Sequence, residues 1–266
     1  MIATYLNRSQ AKSLLLRPGI ALIAASFFSG LCTAQPLVFA ANDWCPFICD
    51  TKSEQPGILV EIVRAVYEGD REVSFRPLPL ARGIVETRAN HTQGILGVVP
   101  EVAPDLVFPP LAAVTTQLCF YTLTNSNWRY DGYGHSYPDT LVGIVQSKSI
   151  NDQFLQGFPN RVTIHGEQDT AERLIQLLQL GRIDTLIEEK TSINYILSRN
   201  PSFPPLRQAG CSDEKLEYIA FSPAAEKPQA LALEFSQRLK KLRRSGRIDA
   251  ILHSYGANAD TRGGMR

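Results

Sequence analysis

Few features of this sequence are extreme, and each thing in short supply removes a class of function. Lysine and arginine together number 27 against 26 acidic residues, a formal charge of +1, so there is no one-sided field of the kind that binds nucleic acid. Its longest apolar run, Ile20–Leu31, has 12 residues, short of the ~20 that a membrane-crossing helix needs. Histidines number 4 (His91, His135, His165, His253), none at ligand spacing to a cysteine pair, so a zinc site has no support. A glycine-rich phosphate loop, a Gly-x-Ser-x-Gly elbow and a His-Glu-x-x-His motif are all missing. With 44% apolar and 20% charged residues over 266 positions, disordered, fibrous and polytopic membrane classes are excluded. The length suits one large domain or two lobes of roughly 100 residues each.

The N-terminus has the layout of an export signal. Arg8, Lys12 and Arg17 precede the apolar run, and Cys32-Thr33-Ala34 sets small residues before Gln35. Cleavage after Ala34 removes three basic and no acidic residues, shifting the formal charge from +1 to −2. A retained anchor is the alternative, because no charge occurs from Pro18 to Asn42. Cleavage also leaves an even set of cysteines: Cys45, Cys49, Cys119 and Cys211. In an oxidising compartment these suggest two disulfides, with three pairings open in principle. The favoured pairing is a short closure, Cys45–Cys49, and a long one, Cys119–Cys211. The long bridge would restrict the unfolded chain far more, by ~4 kcal/mol on the loop-entropy argument. Three residues separate Cys45 from Cys49, against two in thioredoxin-like redox pairs.

Beyond the leader, short apolar runs alternate with helical periodicity. Strands are expected at 36–40, 72–75 and 94–99, with helices at 58–66 and 82–89 between them. This β-α-β-α-β order implies a mainly parallel sheet covered by helices. Residues 112–123 read as one long β-branched strand, followed by a turn-rich segment, 125–139, holding Trp128, Tyr130, Tyr133 and Tyr137. Alternation then restarts: strands at 141–145, 161–164 and 183–187, helices at 151–158 and 171–180, a strand at 217–221, and helices at 229–242 and 248–254. Gly-Arg-Ile-Asp recurs at 181–184 and 246–249, and each glycine reads as a helix C-cap rather than as part of a duplication. Two βα units separated by a long strand predict two lobes. Lobe one is 35–123 plus 222–266, lobe two is 124–221 including the return strand, and small ligands favour the cleft between such lobes.

Polar residues at strand ends are the candidates for that cleft. Glu188 and Glu189 follow a buried strand, where side chains can reach ligand; a solvated start to the next helix is the other reading. Lys148 and Ser149 follow the 141–145 strand and precede a helix, whose free N–H groups suit an anionic or carbonyl oxygen; Ser149 as a simple cap is the alternative. Trp44, in a proline-containing loop after the first strand, either stacks on ligand or packs beside a disulfide. Arg82 opens a helix, where a cation is electrostatically disfavoured; it is a ligand group or an ordinary surface arginine.

The order and spacing of several short motifs resemble bacterial extracellular solute-binding protein family 3, the periplasmic amino-acid and polar-solute binders. The motifs are Asp43-Trp44-Cys45-Pro46-Phe47, the helix entry at 57–62, Ala103-Pro104-Asp105 with its apolar sequel to Pro109, the 141–145 strand, 180–184 with Glu189 five residues on, 218–222, and the closing run 242–256. The resemblance covers about 36–256. It implies a two-lobed type II periplasmic-binding fold: α/β, with two mixed, mainly parallel sheets flanked by helices and joined by a two-strand hinge. It further implies a periplasmic monomer that needs no cofactor or metal and captures a small polar ligand, amino-acid-like or cationic. Its partner would be an ABC-type permease or a sensor ectodomain. An enzyme on this scaffold, a dehydratase-like lyase, is the alternative to a non-enzymatic binder. By resemblance Trp44 flanks the ligand, Gly97–Pro100 offers backbone groups, Lys148 and Ser149 meet a carboxylate, and Glu189 meets an amino group. One departure stands out. Relatives that bind α-amino acids carry an arginine shortly after the third strand, and 100–105 has none. Leu80 occupies the place of a second stacking aromatic.

Overall fold

Two successive runs of strand and helix build two separate five-stranded sheets. The computed structural model describes residues 36–132, 134–145, 155–165, 169–257 and 261. The expected export leader up to Ala34, Tyr133, Lys148, Ser149 and the first part of the helix expected at 151–158 lie outside the described residues. No described helix is long and apolar enough to cross a membrane.

The first sheet contains β1 (Leu37–Ala41), β2 (Val73–Pro77), β3 (Gly94–Val98), β4 (Val114–Thr116) and β10 (Lys215–Phe221). Their order is β2-β1-β3-β10-β4. β1 runs parallel to β2 and β3, while β10 is antiparallel to β3 and β4. The crossovers are helices α1 (Ile58–Tyr67) and α2 (Leu80–Arg88). Ile58, Leu59, Ile62, Val63 and Val66 of α1 are all buried, as their spacing predicts. They share a core with Phe39 and Phe221 of the sheet and with Phe235 and Leu252 from α5 (Pro228–Arg244) and α6 (Arg247–Ser254). The closing helices therefore cover the first lobe. Tyr255, just beyond α6, accepts a hydrogen bond from the Gly57 N–H (2.9 Å) and donates one to Glu61 (2.6 Å), pinning the chain's end to the start of α1.

The second sheet contains β5 (Leu118–Leu123), β6 (Val142–Val145), β7 (Arg161–Ile164), β8 (Thr185–Glu189) and β9 (Leu206–Cys211), in the order β7-β6-β8-β5-β9. Helix α3 (Thr170–Gln179) packs on one face, with Leu174, Ile175 and Leu178 against Leu186. The opposite face is covered by the turn-rich segment. Tyr130 stacks on Phe120 at 4.3 Å between centroids and Tyr137 on Phe158 at 4.7 Å, so aromatic area, with Leu155 beside it, forms much of the described cover on this face.

Helix α4 (Lys190–Arg199) follows β8 directly. Gly181 and Gly246 both adopt positive φ (+64° and +76°) just past α3 and α5, the left-handed C-cap geometry expected of each. Both expected disulfides are formed, with Cα separations of 4.5 Å for Cys45–Cys49 and 4.0 Å for Cys119–Cys211. The second joins register partners on β5 and β9.

The crossings between sheets differ from the sequence expectation. Residues 112–123 do not form one strand: β4 ends at Thr116 in the first sheet and β5 begins at Leu118 in the second. Gln117 is the passage. The chain returns between Cys211 and Lys215, so β10 belongs to the first sheet rather than to lobe two. Sheet membership thus moves both crossings several residues earlier than the expected boundaries at 123/124 and 221/222. Side-by-side passage is held by Ser212 N–H to Leu118 C=O and Gln117 Nε2 to Ser212 C=O, each 2.9 Å.

Candidate functional site

A cleft of about 350 Å³ opens where the two sheets meet, lined from both of them. Within it the first sheet contributes the ends of β1 and β3 and the two residues Lys215 and Glu217 of β10; the second contributes Leu118 of β5 and Glu189 of β8, which are register partners.

Trp44 stands at the first lobe's lip. Its loop is a tight closure: Trp44 and Ile48 exchange backbone hydrogen bonds of 2.8 Å in both directions, and the Cys45–Cys49 bridge ties the ends. Phe47 backs the indole at 4.4 Å between centroids, leaving ring surface on the cleft side. Trp44 thus packs beside the disulfide and also lines the cleft. Gly97 lies against it. A Cβ there would come within 3.1 Å of the indole and 3.2 Å of Leu59, and its φ is +63°, a left-handed conformation that side chains other than glycine's seldom adopt. Gly97 makes room for the tryptophan as well as lining the cleft.

Glu189 lines the cleft and also caps α4: it accepts from the Ser192 N–H at 2.8 Å and from the Gln117 N–H at 3.5 Å. Glu188 is fully buried and accepts from the Glu189 N–H at 2.8 Å; it is neither solvated nor part of the lining.

Arg82 is placed elsewhere. Helix α2 begins at Leu80, two residues before the predicted start, so Leu80 takes the cleft-facing position. Arg82 instead forms an i,i+4 ion pair with Glu86, which also meets Arg76 and His91. The arginine side chain is 64% exposed, the surface alternative. Lys148 and Ser149 lie outside the described residues.

Further residues complete the cleft; among them Leu80, Val98 and Val99 fall at positions the resemblance points to, and sequence reasoning passed over the rest. Pro77, Leu78, Pro79 and Leu80 form one apolar wall, and Val98, Val99 and Val102 another. Lys215 and Glu217, two apart and so on one face of β10, supply the polar part of the floor with Thr116 of β4. Burial pushes the Glu217 carboxyl up to about 7; neighbouring Glu101 adds to the rise, while Lys215 and the Thr116 hydroxyl oppose it. The available signal was the alternation Lys215-Leu216-Glu217-Tyr218, in which two charged residues share one strand face. Among the described residues the lining carries three carboxylates (Asp43, Glu189, Glu217), one ammonium (Lys215), and no arginine or histidine. No described group of three or more His, Cys, Asp or Glu side chains is disposed to hold a metal.

No family model and no curated protein matches this chain. Solved structures do. A histidine kinase sensor domain described as similar to periplasmic binding proteins shares 17% identity at a TM-score of 0.64, covering 84% of this chain and 96% of its own. A structure from work on glutathione import through GshT and the cystine ABC importer of Streptococcus mutans gives 17% and 0.66, over 84% and 95%. An amino-acid ABC transporter substrate-binding protein from Streptococcus pneumoniae, bound to L-arginine, gives 16% and 0.60, over 83% and 94%. These likenesses show the fold: a two-sheet α/β architecture of the type II periplasmic-binding kind.

Proposed function

We propose that this chain is an exported solute-binding protein whose two lobes close on a small polar ligand, amino-acid-like or cationic, and release it unchanged, in the service of an ABC-type uptake system. The observation that carries the reading is the cleft itself. It lies at a double chain crossing, where a modest change at 116–118 and 211–215 would swing one sheet against the other. It also joins an aromatic lip, Trp44, to a carboxylate on the opposite lobe, Glu189. The fold neighbours named for amino-acid transport and cystine import support the same class of ligand. Two disulfides fit an oxidising compartment outside the cytoplasm.

The test is a thermal-shift screen of the mature protein against amino acids, polyamines and other polar metabolites, with mass spectrometry of the recovered ligand. At least one compound should raise the melting temperature and return chemically intact. Turnover of the bound compound would replace the binding reading with the lyase alternative. A sensor role uses the same cleft and is supported by the likeness to a kinase sensor domain. It differs in its partner, and a pull-down recovering a membrane receptor instead of a permease would establish it.

A further inference from the structure

We infer that the cleft takes a ligand with an apolar body, a branched aliphatic or aromatic group, and seats that body on a wall belonging wholly to the first lobe. This rests on the cleft being the ligand site, and it concerns the ligand's body, whatever charge its head carries.

Three neighbouring strand ends build the wall. β2, β1 and β3 lie side by side, and at and beyond their ends the lining runs through Pro77–Leu80, Trp44, and Val98, Val99 and Val102. The side chains of this set carry a single polar atom, the indole nitrogen. At 77–79 the backbone offers no free donor either: Pro77 and Pro79 have no N–H, and the Leu78 N–H is spent on the Ala41 carbonyl at 2.9 Å. Polar lining from the first lobe lies beside the wall, at Asn42 and Asp43 past β1, or further across the sheet, at Thr116 of β4 and Lys215 and Glu217 of β10. With neighbouring strands ~4.8 Å apart, β10 lies ~5 Å from the β3 part of the wall and ~10 Å from the β1 part. A head held on β10, or by Glu189 opposite, and a body on the wall therefore fit one small molecule in a cleft of about 350 Å³.

The wall faces the cleft instead of being closed over by the fold. Pro77, Pro79 and Val102 are exposed, and Trp44, Leu78, Leu80 and Val99 are half-buried. Contiguous apolar surface of this kind is unfavourable in water, and a seated apolar group removes it from water. A carboxamide laid on the same residues would lose its own water and gain no partner from the wall's side chains beyond one indole N–H. The wall is also held in place before any ligand arrives. Phe47 backs the indole at 4.4 Å between centroids, Gly97 leaves the space that the indole occupies, and Leu78 and Leu80 rest on the core formed with Ile84 and Val98. Little ordering is left for the ligand to impose, so most of the apolar gain is available to binding.

Isothermal titration of the mature protein with isosteric pairs decides the matter, each pair exchanging an isopropyl group for a carboxamide on one kind of head: L-leucine and L-asparagine, isoamylamine and β-alaninamide, 4-methylvalerate and succinamate. For whichever heads bind, the isopropyl member should bind roughly tenfold to a hundredfold more tightly. Each methylene removed from a straight-chain body on the same head should weaken binding about threefold to fourfold. Leu80→Asn should cut the isopropyl preference about tenfold. Val102→Thr, at a position 40% exposed and so little felt by folding, should cut it about threefold. Equal or tighter binding of a carboxamide member, or a preference that neither variant alters, overturns the inference while leaving the cleft as a binding site. If none of the six binds, the tightest compound of the metabolite screen takes their place: an apolar body on it upholds the inference and a polar one overturns it. A screen without any binder overturns the cleft reading as well.

Discussion

The two carboxylates on opposite walls of the cleft show how differently a fold can treat the same functional group. Glu189 ends β8 and begins α4, so its oxygens serve backbone N–H groups on both sides, Gln117 and Ser192. Glu217 stands mid-floor on β10, where its main influences are burial, a hydroxyl and a lysine. The first caps a helix and also lines the cleft. The second carries charge at an energetic cost. A binding site gains orientation from the former and adjustable charge from the latter.

The largest perturbation strikes the second sheet beside the chain crossing. Replacing Cys119 and Cys211 with serine opens a bridge of sequence separation 92 between β5 and β9, next to the crossing that leads to β10. Denaturant unfolding should show a loss of about 4 kcal/mol; opening Cys45–Cys49 should cost much less globally.

Glu217→Gln comes next and has a distinctive sign. The carboxyl's folded-state pKa of about 7 lies above its ordinary value of 4.5, so the folded protein retains a proton that the unfolded chain has released. That contribution is complete below about pH 4.5 and lost as pH rises through 7. The substitution should therefore stabilise the empty protein by roughly 2 kcal/mol at pH 8 and have little effect at pH 4.5. Urea melts at both pH values check this, and equal effects at both would contradict it.

Glu189→Ala should do the reverse, destabilising by about 1 kcal/mol at neutral pH through loss of the cap, and should also remove the thermal shift given by ligand. A variant that melts earlier yet still responds fully to ligand would confine Glu189 to capping. Smallest of all is Arg82→Ala. Its side chain is exposed and outside the cleft, and its buried partner Glu86 keeps Arg76 and His91, so ligand affinity should stay within about twofold and stability within about 0.5 kcal/mol.

Much of this contrast was only half legible in the sequence. Alternating strand and helix periodicity revealed the two lobes and the buried face of α1, because those patterns are local. The crossing at Gln117 was hidden because β4 and β5 are both buried and β-branched or apolar, so nothing in their pattern marks a change of sheet. β9 escaped notice for the opposite reason: Arg207, Gln208 and Gly210 dilute an edge strand whose exposed side does not need to be apolar. Trp44 and Glu189, named from strand-end positions, and Gly97, named from the resemblance, all line the cleft. Arg82 misled because a two-residue error in a helix start rotates a side chain by more than half a turn. Glu217 was invisible as a site residue since a charge near a strand's start ordinarily faces water; here it is half-buried and lines the cleft.

The most direct measurement is hydrogen–deuterium exchange on the mature protein with and without the tightest ligand from the screen. Closure on the cleft predicts simultaneous protection on both walls, in the segments around Trp44 and Gly97–Val102 and around Leu118, Glu189 and Lys215–Glu217. Protection confined to one sheet, or located away from these segments, would contradict the account.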